Sequence, residues 1–177
     1  MIKTLLPLVV ALLVIGINLL QQSRTKPEVT PTNLIPGATV VKRVIDGDTI
    51  ELTDGTTVRY LGMDTPETVD PRKPVQCFGK EAKAKNAELV LNQEVKLVAD
   101  VENADRYGRL LRYVYVGDTF VNLELVKQGY AYSYPYPPNV SREAEFRAAQ
   151  AEARVANRGL WAGCTEKDIG LHLRTQK

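Results

Sequence analysis

The segment TVVKRVIDGDTIELTDGTTVRYLGM, which runs from Thr39 to Met63, decides the fold. Its β-branched runs are separated by two turn sequences, Asp46-Gly47-Asp48 and Asp54-Gly55. Asp-Gly pairs between such runs are typical of β-hairpins, because glycine readily adopts the backbone angles of tight turns. We therefore predict a meander of three strands, at Thr39 to Ile45, Thr49 to Leu52 and Thr57 to Met63.

The sequence after the meander alternates between helical and strand patterns. A helix is predicted from Gly79 through Leu91, with Ala84, Ala87 and Leu91 spaced for one buried face. Two further strands are predicted at Glu94 to Ala99 and at Leu110 to Val116, where apolar residues alternate with polar ones or follow one another. The folded domain is expected to span residues 38–163.

Two more helices are predicted after the fifth strand. The first covers Phe120 to Gln128 and ends at Gly129. Ser141 is expected to cap the second, whose core face would consist of Phe146, Ala149, Ala153 and Ala156. Five strands with one helix between the third and the fourth suit a mainly β, α+β domain built on a closed barrel of the oligonucleotide-binding (OB) type.

The chain begins with a hydrophobic segment, residues 1–23, which is predicted to be helical. Thr4 to Ser23 carry no charge, and Lys3 and Arg24 flank them. This length is close to the about 20 residues of a membrane-spanning helix. A secretory signal has a similar basic start, but an A-x-A-like cleavage site is missing. An uncleaved signal anchor is slightly favoured over a cleaved signal peptide, and both alternatives send the remaining chain across a membrane.

The segments that flank the domain are expected to be polar and exposed. Residues 24–37 contain three prolines and several threonines, which predicts a fairly stiff linker. Residues 164–177 are expected to form a polar C-terminal tail. With the hydrophobic segment, this organisation predicts an extracytoplasmic domain that is either membrane-anchored or secreted.

Composition limits the chemistry of the chain. The sole histidine, His172, argues against a histidine base, a histidine-rich zinc site or a Ser-His-Asp triad. The formal net charge of +2 does not by itself indicate nucleic-acid binding, since a solvated surface explains it equally well. A hydrophobic content of 44% is sufficient for a core in a chain of 177 residues.

Carboxylates at the ends of successive predicted strands suggest a metal site. Asp48 and Asp64 lie where a barrel can bring strand ends together, and two carboxylates with a carbonyl and waters suit Ca²⁺ or Mg²⁺. The alternative for each aspartate alone is an ordinary turn or cap. Glu67 follows Pro66 closely and can orient or deprotonate an attacking water, although a single acid there is also typical of an exposed loop.

Arginine and tyrosine residues suggest a phosphate and nucleotide site. Arg59 in the third strand and Arg109 after Gly108 can each grip a phosphate with two hydrogen bonds. The alternatives are a solvated arginine and a surface salt bridge. Tyrosines follow Gly129 at every second position, and such rings can stack a base or alternate between core and rim.

Several of these motifs recur together in one family. They are Val44-Ile45-Asp46-Gly47-Asp48-Thr49, Arg59, Met63-Asp64-Thr65-Pro66-Glu67-Thr68, Asp105-Arg106-Tyr107-Gly108-Arg109 and Val121-Asn122-Leu123-Glu124-Leu125-Val126. From about Ala38 to Trp161 the chain resembles the thermonuclease, or staphylococcal-nuclease-like, family. The resemblance implies a five-stranded OB-type barrel with three helices. It also implies calcium-dependent cleavage of DNA and RNA to products with 3′-phosphates.

The resemblance also implies roles for individual residues. Asp48 and Asp64 match the calcium carboxylates, Thr65 matches the residue that gives a backbone carbonyl, and Asp46 fits an outer position that supports the ion through water. Glu67 matches the general base. Arg59 and Arg109 match the arginines that bind the scissile phosphate. Four residues fall near the terminal-phosphate and nucleotide-ring positions: Arg106, Tyr107, Tyr134 and Tyr136.

The sequence therefore predicts a calcium-dependent nuclease, expected to be a monomer, with a non-catalytic nucleic-acid-binding OB module as the main alternative. A structural barrel in an envelope assembly is a third possibility. Replacing Arg59, Glu67 or Arg109 is expected to cut turnover by orders of magnitude and to leave folding intact. The chain departs from the family in its hydrophobic segment and in Cys77 and Cys164, which form either a disulfide or two separate thiols.

Overall fold

A closed barrel is the centre of the described part of the chain, residues 39–68 and 74–175, in this computed structural model. Five strands form its wall and three short strands extend it. In chain order the strands are β1 (Thr39–Asp46), β2 (Thr49–Leu52), β3 (Thr57–Tyr60), β4 (Met63–Asp64), β5 (Glu94–Val98), β6 (Leu110–Val116), β7 (Thr119–Phe120) and β8 (Tyr132–Ser133).

The barrel closes through a parallel pairing between β3 and β6, in which Val58 lies opposite Leu110. The other neighbours in the wall are antiparallel: β1 pairs with β2 and β5, β2 pairs with β3, and β5 pairs with β6. The predicted five-stranded OB-type barrel is confirmed. Thr49 lies opposite Arg59 on β2 and β3, so both side chains project from the same face of the wall.

The third strand is shorter than predicted, because it ends at Tyr60 instead of Met63. Gly62 has a φ of 78°, and a Cβ on it would lie 2.2 Å from the ring of Phe146. No larger residue fits this bend. After the bend, β4 leaves the barrel wall and pairs with β8, where Asp64 lies opposite Tyr132. The bend therefore sets the direction from which Asp64 reaches the site.

Five helical segments pack around the barrel within the described residues. They are α1 (Gly79–Val90), α2 (Val121–Lys127), α3 (Glu143–Val155), α4 (Leu160–Gly163) and α5 (Glu166–Thr175). The first three correspond to the predicted helices. The short α4 and the longer α5 are additional, and α5 lies in the segment that was expected to be a polar tail.

The buried face of α1 differs from the prediction. Of the predicted face, Ala87 is half-buried against the core, whereas Ala84 is exposed and Leu91 keeps 40% of its surface. The buried positions of the helix are Gly79, Ala82, Asn86 and Val90. The reason is that the side chain of Asn86 is buried between the helix that carries it and the barrel, where it forms hydrogen bonds. Its side chain accepts a bond from the Tyr60 hydroxyl and donates one to the backbone carbonyl of Asp46. An apolar periodicity cannot detect a buried asparagine.

The start and the end of α3 also differ from the prediction. Ser141 does not cap the helix: its hydroxyl donates to Asp100, and α3 begins two residues later without a side-chain cap. Phe146, Ala149 and Ala153 are buried as expected, but Ala156 lies beyond the end of the helix and is exposed. The carboxylate of Asp100 competes successfully for the serine because it accepts from both its hydroxyl and its backbone amide.

The core fills the barrel and the space beneath α2 and α3. Its largest fully buried side chains are aromatic and branched aliphatic, among them Tyr60, Tyr113, Phe146, Ile50, Leu52, Leu61, Met63, Leu125 and Leu160. Burying a large apolar side chain stabilises a fold by about 1.5 to 3 kcal/mol. The core therefore provides a rigid base for the groups at the rim of the barrel.

Cys77 and Cys164 form a disulfide whose Cα atoms are 6.0 Å apart. The two residues are separated by 87 positions in the sequence, and a cross-link across a loop of this length typically contributes about 2 to 4 kcal/mol. The bond joins the segment before α1 to the segment before α5. The segment that precedes α1 is thus held to the C-terminal part of the domain.

The predicted hydrophobic segment 1–23 and linker 24–37 lie outside the described residues. Within residues 39–68 and 74–175, no helix combines the length and the apolar composition that a membrane crossing requires.

Candidate active site

The turn between β1 and β2 places a buried carboxylate at the rim of the barrel. Asp48 accepts a hydrogen bond from the Thr49 hydroxyl through Oδ1, at 3.0 Å. Its Oδ2 accepts from the backbone amide and the hydroxyl of Thr65, at 3.0 and 2.9 Å. These three bonds fix the carboxylate and join the β1–β2 turn to the segment that follows β4.

The contact between these two segments depends on Gly47. A Cβ on Gly47 would lie 2.7 Å from the hydroxyl oxygen of Thr65, closer than side chains normally approach. The turn can therefore reach the buried Thr65 only without a side chain at this position. Glycine in the Asp-Gly-Asp sequence serves the tertiary contact as well as the turn.

Arg59 connects the two candidate metal carboxylates. Its Nη1 lies 2.6 Å from Asp48 Oδ2, and its Nη2 lies 2.5 Å from Asp64 Oδ1. The arginine side chain is only 16% exposed. Burial alone would lower the pKa of the guanidinium, but the carboxylates of Asp48 and Asp64 outweigh it and raise the pKa above its ordinary value. The group is therefore a permanent positive charge between two carboxylates.

Asp46 lies behind these groups and is also buried. It accepts from the backbone amide of Gly47 at 2.9 Å and from the hydroxyl of Thr68 at 2.6 Å. Burial raises the pKa of its carboxyl to about 6, and the nearby charges of Asp48 and Glu67 add to the rise while the bond from Thr68 opposes it. Asp46 thus belongs to the same acidic cluster as Asp48.

Glu67 lies beside this cluster and is held through its backbone. Its amide donates to Oε1 of Gln76 at 2.8 Å, and its carbonyl accepts from the amide of Gln76 at 2.9 Å. One oxygen of its carboxylate accepts from the backbone amide of Thr68 at 2.9 Å. The glutamate is half-buried, so the fixed backbone directs a partly accessible carboxylate.

Arg109 is positioned by Asp105 across a tight turn. The carboxylate of Asp105 accepts from the amides of Tyr107 and Arg109 and from the guanidinium of Arg109, with both Nε and Nη2 at 2.7 Å. Burial acts to raise the pKa of Asp105, but the hydrogen bonds from Arg109 and the backbone bring it below its ordinary value. Gly108, with a φ of 81°, allows the turn.

A cleft of about 400 Å³ brings the two arginines together. Arg59 and Arg109 both line it. The four residues expected near a nucleotide line it as well: Arg106, Tyr107, Tyr134 and Tyr136. The guanidinium of Arg106 lies over the ring of Tyr107, 4.8 Å from its centroid. Arg59 lines this cleft and also contacts the acidic cluster, which consists of the carboxylates of Asp46, Asp48, Asp64 and Glu67 together with Thr65.

Sequence reasoning missed several residues that position the site. Asp105 holds Arg109, and its place four residues earlier in an Asp-x-x-Gly-x turn was a local signal for that role. Gln76 holds the backbone of Glu67, and Asn86 holds the turn at Asp46. His172 lies 3.0 Å from Asp64. The contacts of Asn86 and His172 are long-range, Gln76 lies nine positions after Glu67, and no local pattern marks any of the three.

The donor chemistry of the cluster fits a hard divalent cation. Carboxylate oxygens of Asp48 and Asp64 lie at the two ends of one guanidinium, and the charge of Asp46 also acts on Arg59. Oxygen donors of this kind suit Ca²⁺. Among the residues that the structure describes, no group of three or more His, Cys, Asp or Glu side chains is arranged to hold a metal ion. A bound ion would therefore need backbone or water oxygens as well.

The fold and the site together define a class: an OB-type barrel that carries an acidic cluster and two arginines beside a tyrosine-lined cleft. Residues 57–163 match the family model described as Staphylococcal nuclease homologue. The chain belongs to this family, as its motifs predicted.

Curated relatives agree with this assignment. The chain is 46% identical over 125 residues to the thermonuclease of Staphylococcus intermedius, covering 69% of this chain and 74% of that protein. It is 37% identical over 161 residues to the thermonuclease of Staphylococcus hyicus, covering 89% and 95%. Endonuclease YncB of Bacillus subtilis (strain 168) is 42% identical over 125 residues, which cover 68% of this chain and 59% of YncB. These relatives support a nuclease of the staphylococcal nuclease family.

Proposed function

We propose that this chain is a calcium-dependent nuclease that hydrolyses phosphodiester bonds of DNA and RNA and leaves 3′-phosphates. The observation that carries the proposal is the position of Arg59, which contacts both Asp48 and Asp64 and lines the cleft that Arg109 also lines. Groups for a cation and groups for a phosphate therefore adjoin, as metal-assisted phosphodiester hydrolysis requires. The relatives named thermonuclease and endonuclease support the same activity.

In this proposal the acidic cluster holds the calcium ion. Asp48, Asp64 and the backbone carbonyl of Thr65 would be its ligands, and Asp46 would support it through water. Bound calcium supplies electrostatic stabilisation of the negative charge that develops on the phosphoryl group. The hydrogen bonds from Thr49 and Thr65 keep the carboxylate of Asp48 in one orientation, which reduces the cost of ordering a ligand when the ion binds.

The remaining groups act on the substrate itself. The Glu67 carboxylate accepts a proton from the water that attacks phosphorus in line. Arg59 and Arg109 donate hydrogen bonds to the phosphoryl oxygens and stabilise their developing charge. The bond from phosphorus to the 5′-oxygen breaks, and that oxygen takes up a proton from solvent. The products are a 3′-phosphate and a 5′-hydroxyl.

The tyrosine-lined part of the cleft is proposed to hold the nucleotide next to the scissile bond. The guanidinium groups of Arg106 and Arg109 lie near the ring of Tyr107, at 4.8 and 5.6 Å from its centroid. Tyr134 and Tyr136 line the same cleft. Aromatic rings of this kind stack bases of any sequence, which suits an enzyme that acts on both DNA and RNA.

Removal of calcium tests this proposal directly. Single-stranded DNA and RNA should be cleaved in Ca²⁺, and EGTA should lower the rate by at least about 10³-fold, because a catalytic metal ion contributes several kcal/mol and each 1.4 kcal/mol is a factor of ten. Excess calcium should restore the rate. Mass spectrometry of the products should find 3′-phosphates.

Two results would contradict the proposal. Cleavage that persists in EGTA would remove calcium from the mechanism. Tight nucleic-acid binding without cleavage in calcium would identify the chain as the alternative, a non-catalytic binding module.

We also propose that the domain works outside the cytoplasm as a monomer, tethered to the membrane or secreted. The uncharged run from Thr4 to Ser23 supports export, and so does the disulfide, since such bonds persist in oxidising compartments. When cells that express the full chain are fractionated, an antibody against the domain should detect the protein in the membrane fraction or in the medium. Detection in the cytosol alone would refute export.

A further inference from the structure

A C-terminal helix reaches the acidic cluster through the chain's only histidine. His172 on α5 is 3% exposed and is the residue of this helix that packs most deeply among those whose side chains are described. Its Nε2 lies 3.0 Å from Oδ2 of Asp64, and its Nδ1 lies 2.9 Å from Oε1 of Gln76. Both ring nitrogens therefore contact groups that belong to the site.

Each contact of His172 fixes a different part of the proposed machinery. Asp64 has one carboxylate oxygen next to Arg59 and the other next to the imidazole, so its plane is held from both sides. Gln76 uses the oxygen that faces His172 to accept from the backbone amide of Glu67 as well. The imidazole is thus linked to a candidate metal ligand and, through one amide, to the candidate base.

The ring is also held against the strand that pairs with β4. His172 stacks on Tyr132 with ring centroids 4.1 Å apart and an angle of 14° between the planes. Tyr132 lies opposite Asp64 in the β4–β8 pair. The stacking therefore fixes the position of the imidazole beside Asp64.

The disulfide secures this arrangement. Cys77 directly follows Gln76, and Cys164 lies two residues before the first residue of α5. Thr165 and Asp168 then close the first turn of the helix, where Oδ2 of Asp168 accepts from the hydroxyl of Thr165 at 2.6 Å. The helix that carries His172 is consequently tied covalently to the segment that carries Gln76.

We propose that His172 is a positioning residue of the nuclease site: it orients Asp64 for the cation and, through Gln76, holds the backbone of Glu67. This inference rests on the proposed function. Groups behind metal ligands fix the orientation of those ligands, and their loss typically lowers metal affinity or activity about 10- to 100-fold. The helix α5 is then a functional part of the nuclease and not a dispensable tail.

Three substitutions of His172 in the full chain separate its two contacts. His172→Ala removes both. Glutamine places its amide near the position of Nε2, so His172→Gln keeps a polar group beside Asp64, while His172→Asn places an amide near the position of Nδ1, beside Gln76. Leu171→Ala is the matched control, since Leu171 lies on the same helix and is 52% exposed.

The first measurement is calcium affinity by calorimetry in the absence of nucleic acid. His172→Ala and His172→Asn should weaken calcium binding by about tenfold or more, and His172→Gln should restore it to within about threefold. At saturating calcium, kcat on single-stranded DNA should fall about tenfold in His172→Ala while KM stays within about twofold. Leu171→Ala should match the unaltered chain.

The second measurement is hydrogen exchange of the Glu67 amide in metal-free protein. Exchange should be about tenfold faster in His172→Ala and His172→Gln, because Gln76 loses a partner, and unchanged in His172→Asn. His172→Gln should therefore preserve calcium affinity but not the exchange rate, and His172→Asn should preserve the exchange rate but not calcium affinity. A purely structural role would instead change both quantities in parallel with the melting temperature.

The outcomes distinguish this inference from the proposed function. Unaltered calcium affinity and unaltered Glu67 exchange in His172→Ala would overturn the inference, as would parallel losses in all three variants. An unaltered chain that neither binds calcium nor cleaves nucleic acid would refute the proposed function. In that case the exchange of the Glu67 amide in metal-free protein still decides whether His172 positions this segment.

Discussion

Replacing Glu67 with glutamine is expected to lower the rate of phosphodiester hydrolysis by about 10²- to 10⁴-fold, the usual contribution of a positioned acid or base. Glutamine has nearly the same shape and retains an oxygen that can accept from the backbone amide of Thr68. The bonds between the backbone of Glu67 and Gln76 do not depend on the side chain. The variant therefore loses the ability to take a proton and keeps its fold.

The measurement is the single-turnover rate of cleavage of labelled single-stranded DNA at saturating calcium, together with calcium affinity and thermal unfolding. Affinity and melting temperature should remain near those of the unaltered chain. Glu88→Gln is the matched control, because the side chain of Glu88 is 68% exposed on α1 and forms an ion pair with Lys85, away from the site. Full activity in Glu67→Gln would show that another group, or the metal-bound environment alone, activates the water.

The barrel could be predicted from the sequence because its first three strands are separated by local signals. Asp46-Gly47 and Asp54-Gly55 mark turns that form within a few residues, and glycine has φ 86° at position 55. The turn at Gly62 was missed, since the strand pattern continues through it to Met63. The ring of Phe146, more than eighty positions away in the sequence, leaves no room for a Cβ at Gly62, and no local pattern contains that information.

The buried faces of the helices were predicted less well because they include polar residues. Asn86 is completely buried in α1, where it bridges Tyr60 and the turn at Asp46. A pattern search assigns asparagine to the surface, so the face was placed on Ala84, Ala87 and Leu91, of which Ala87 is half-buried against the core. Buried polar groups are stable only when hydrogen-bonded, and their partners come from tertiary structure.

In the site, too, residues marked by a local pattern could be predicted, whereas their partners from distant parts of the sequence could not. Residue types at strand ends suggested Asp48, Asp64 and Arg59, and the family resemblance supplied their roles. The structure places these three side chains in direct contact. The partners that hold them were not predictable, because His172 and Gln76 meet across 96 positions of sequence. The sequence showed only a lone histidine in a polar segment.

The substitutions Arg59→Lys and Arg109→Lys are expected to lower turnover by similar amounts, about 10²- to 10³-fold each, and to differ in stability. Lysine cannot reproduce the two parallel hydrogen bonds of a guanidinium to phosphoryl oxygens, so transition-state stabilisation is lost in both variants. The sequence alone predicted that folding stays intact in each. The structure separates the two arginines, because their surroundings differ.

Arg59 is 16% exposed and joins Asp48 to Asp64. A lysine ammonium is a single point of contact, so one of these buried carboxylates loses its charged contact, and a hydrogen bond to a charged group contributes about 2 kcal/mol. In a domain of this size, that lowers the melting temperature by about 4 to 8 °C. Arg109 is 33% exposed and forms an ion pair with Asp105, whose carboxylate keeps its bonds from the backbone amides of Tyr107 and Arg109 in the variant, so the melting temperature should change by no more than about 2 °C.

Thermal unfolding in EGTA and single-turnover cleavage in calcium measure the two effects separately. Arg147→Lys is the control, because Arg147 is an exposed arginine that pairs with Glu143 on α3, and it should change neither quantity. Equal melting temperatures for Arg59→Lys and Arg109→Lys would mean that Arg59 does not hold the two carboxylates together in solution. Full turnover in Arg109→Lys would remove Arg109 from the phosphate site, although both arginines line one cleft.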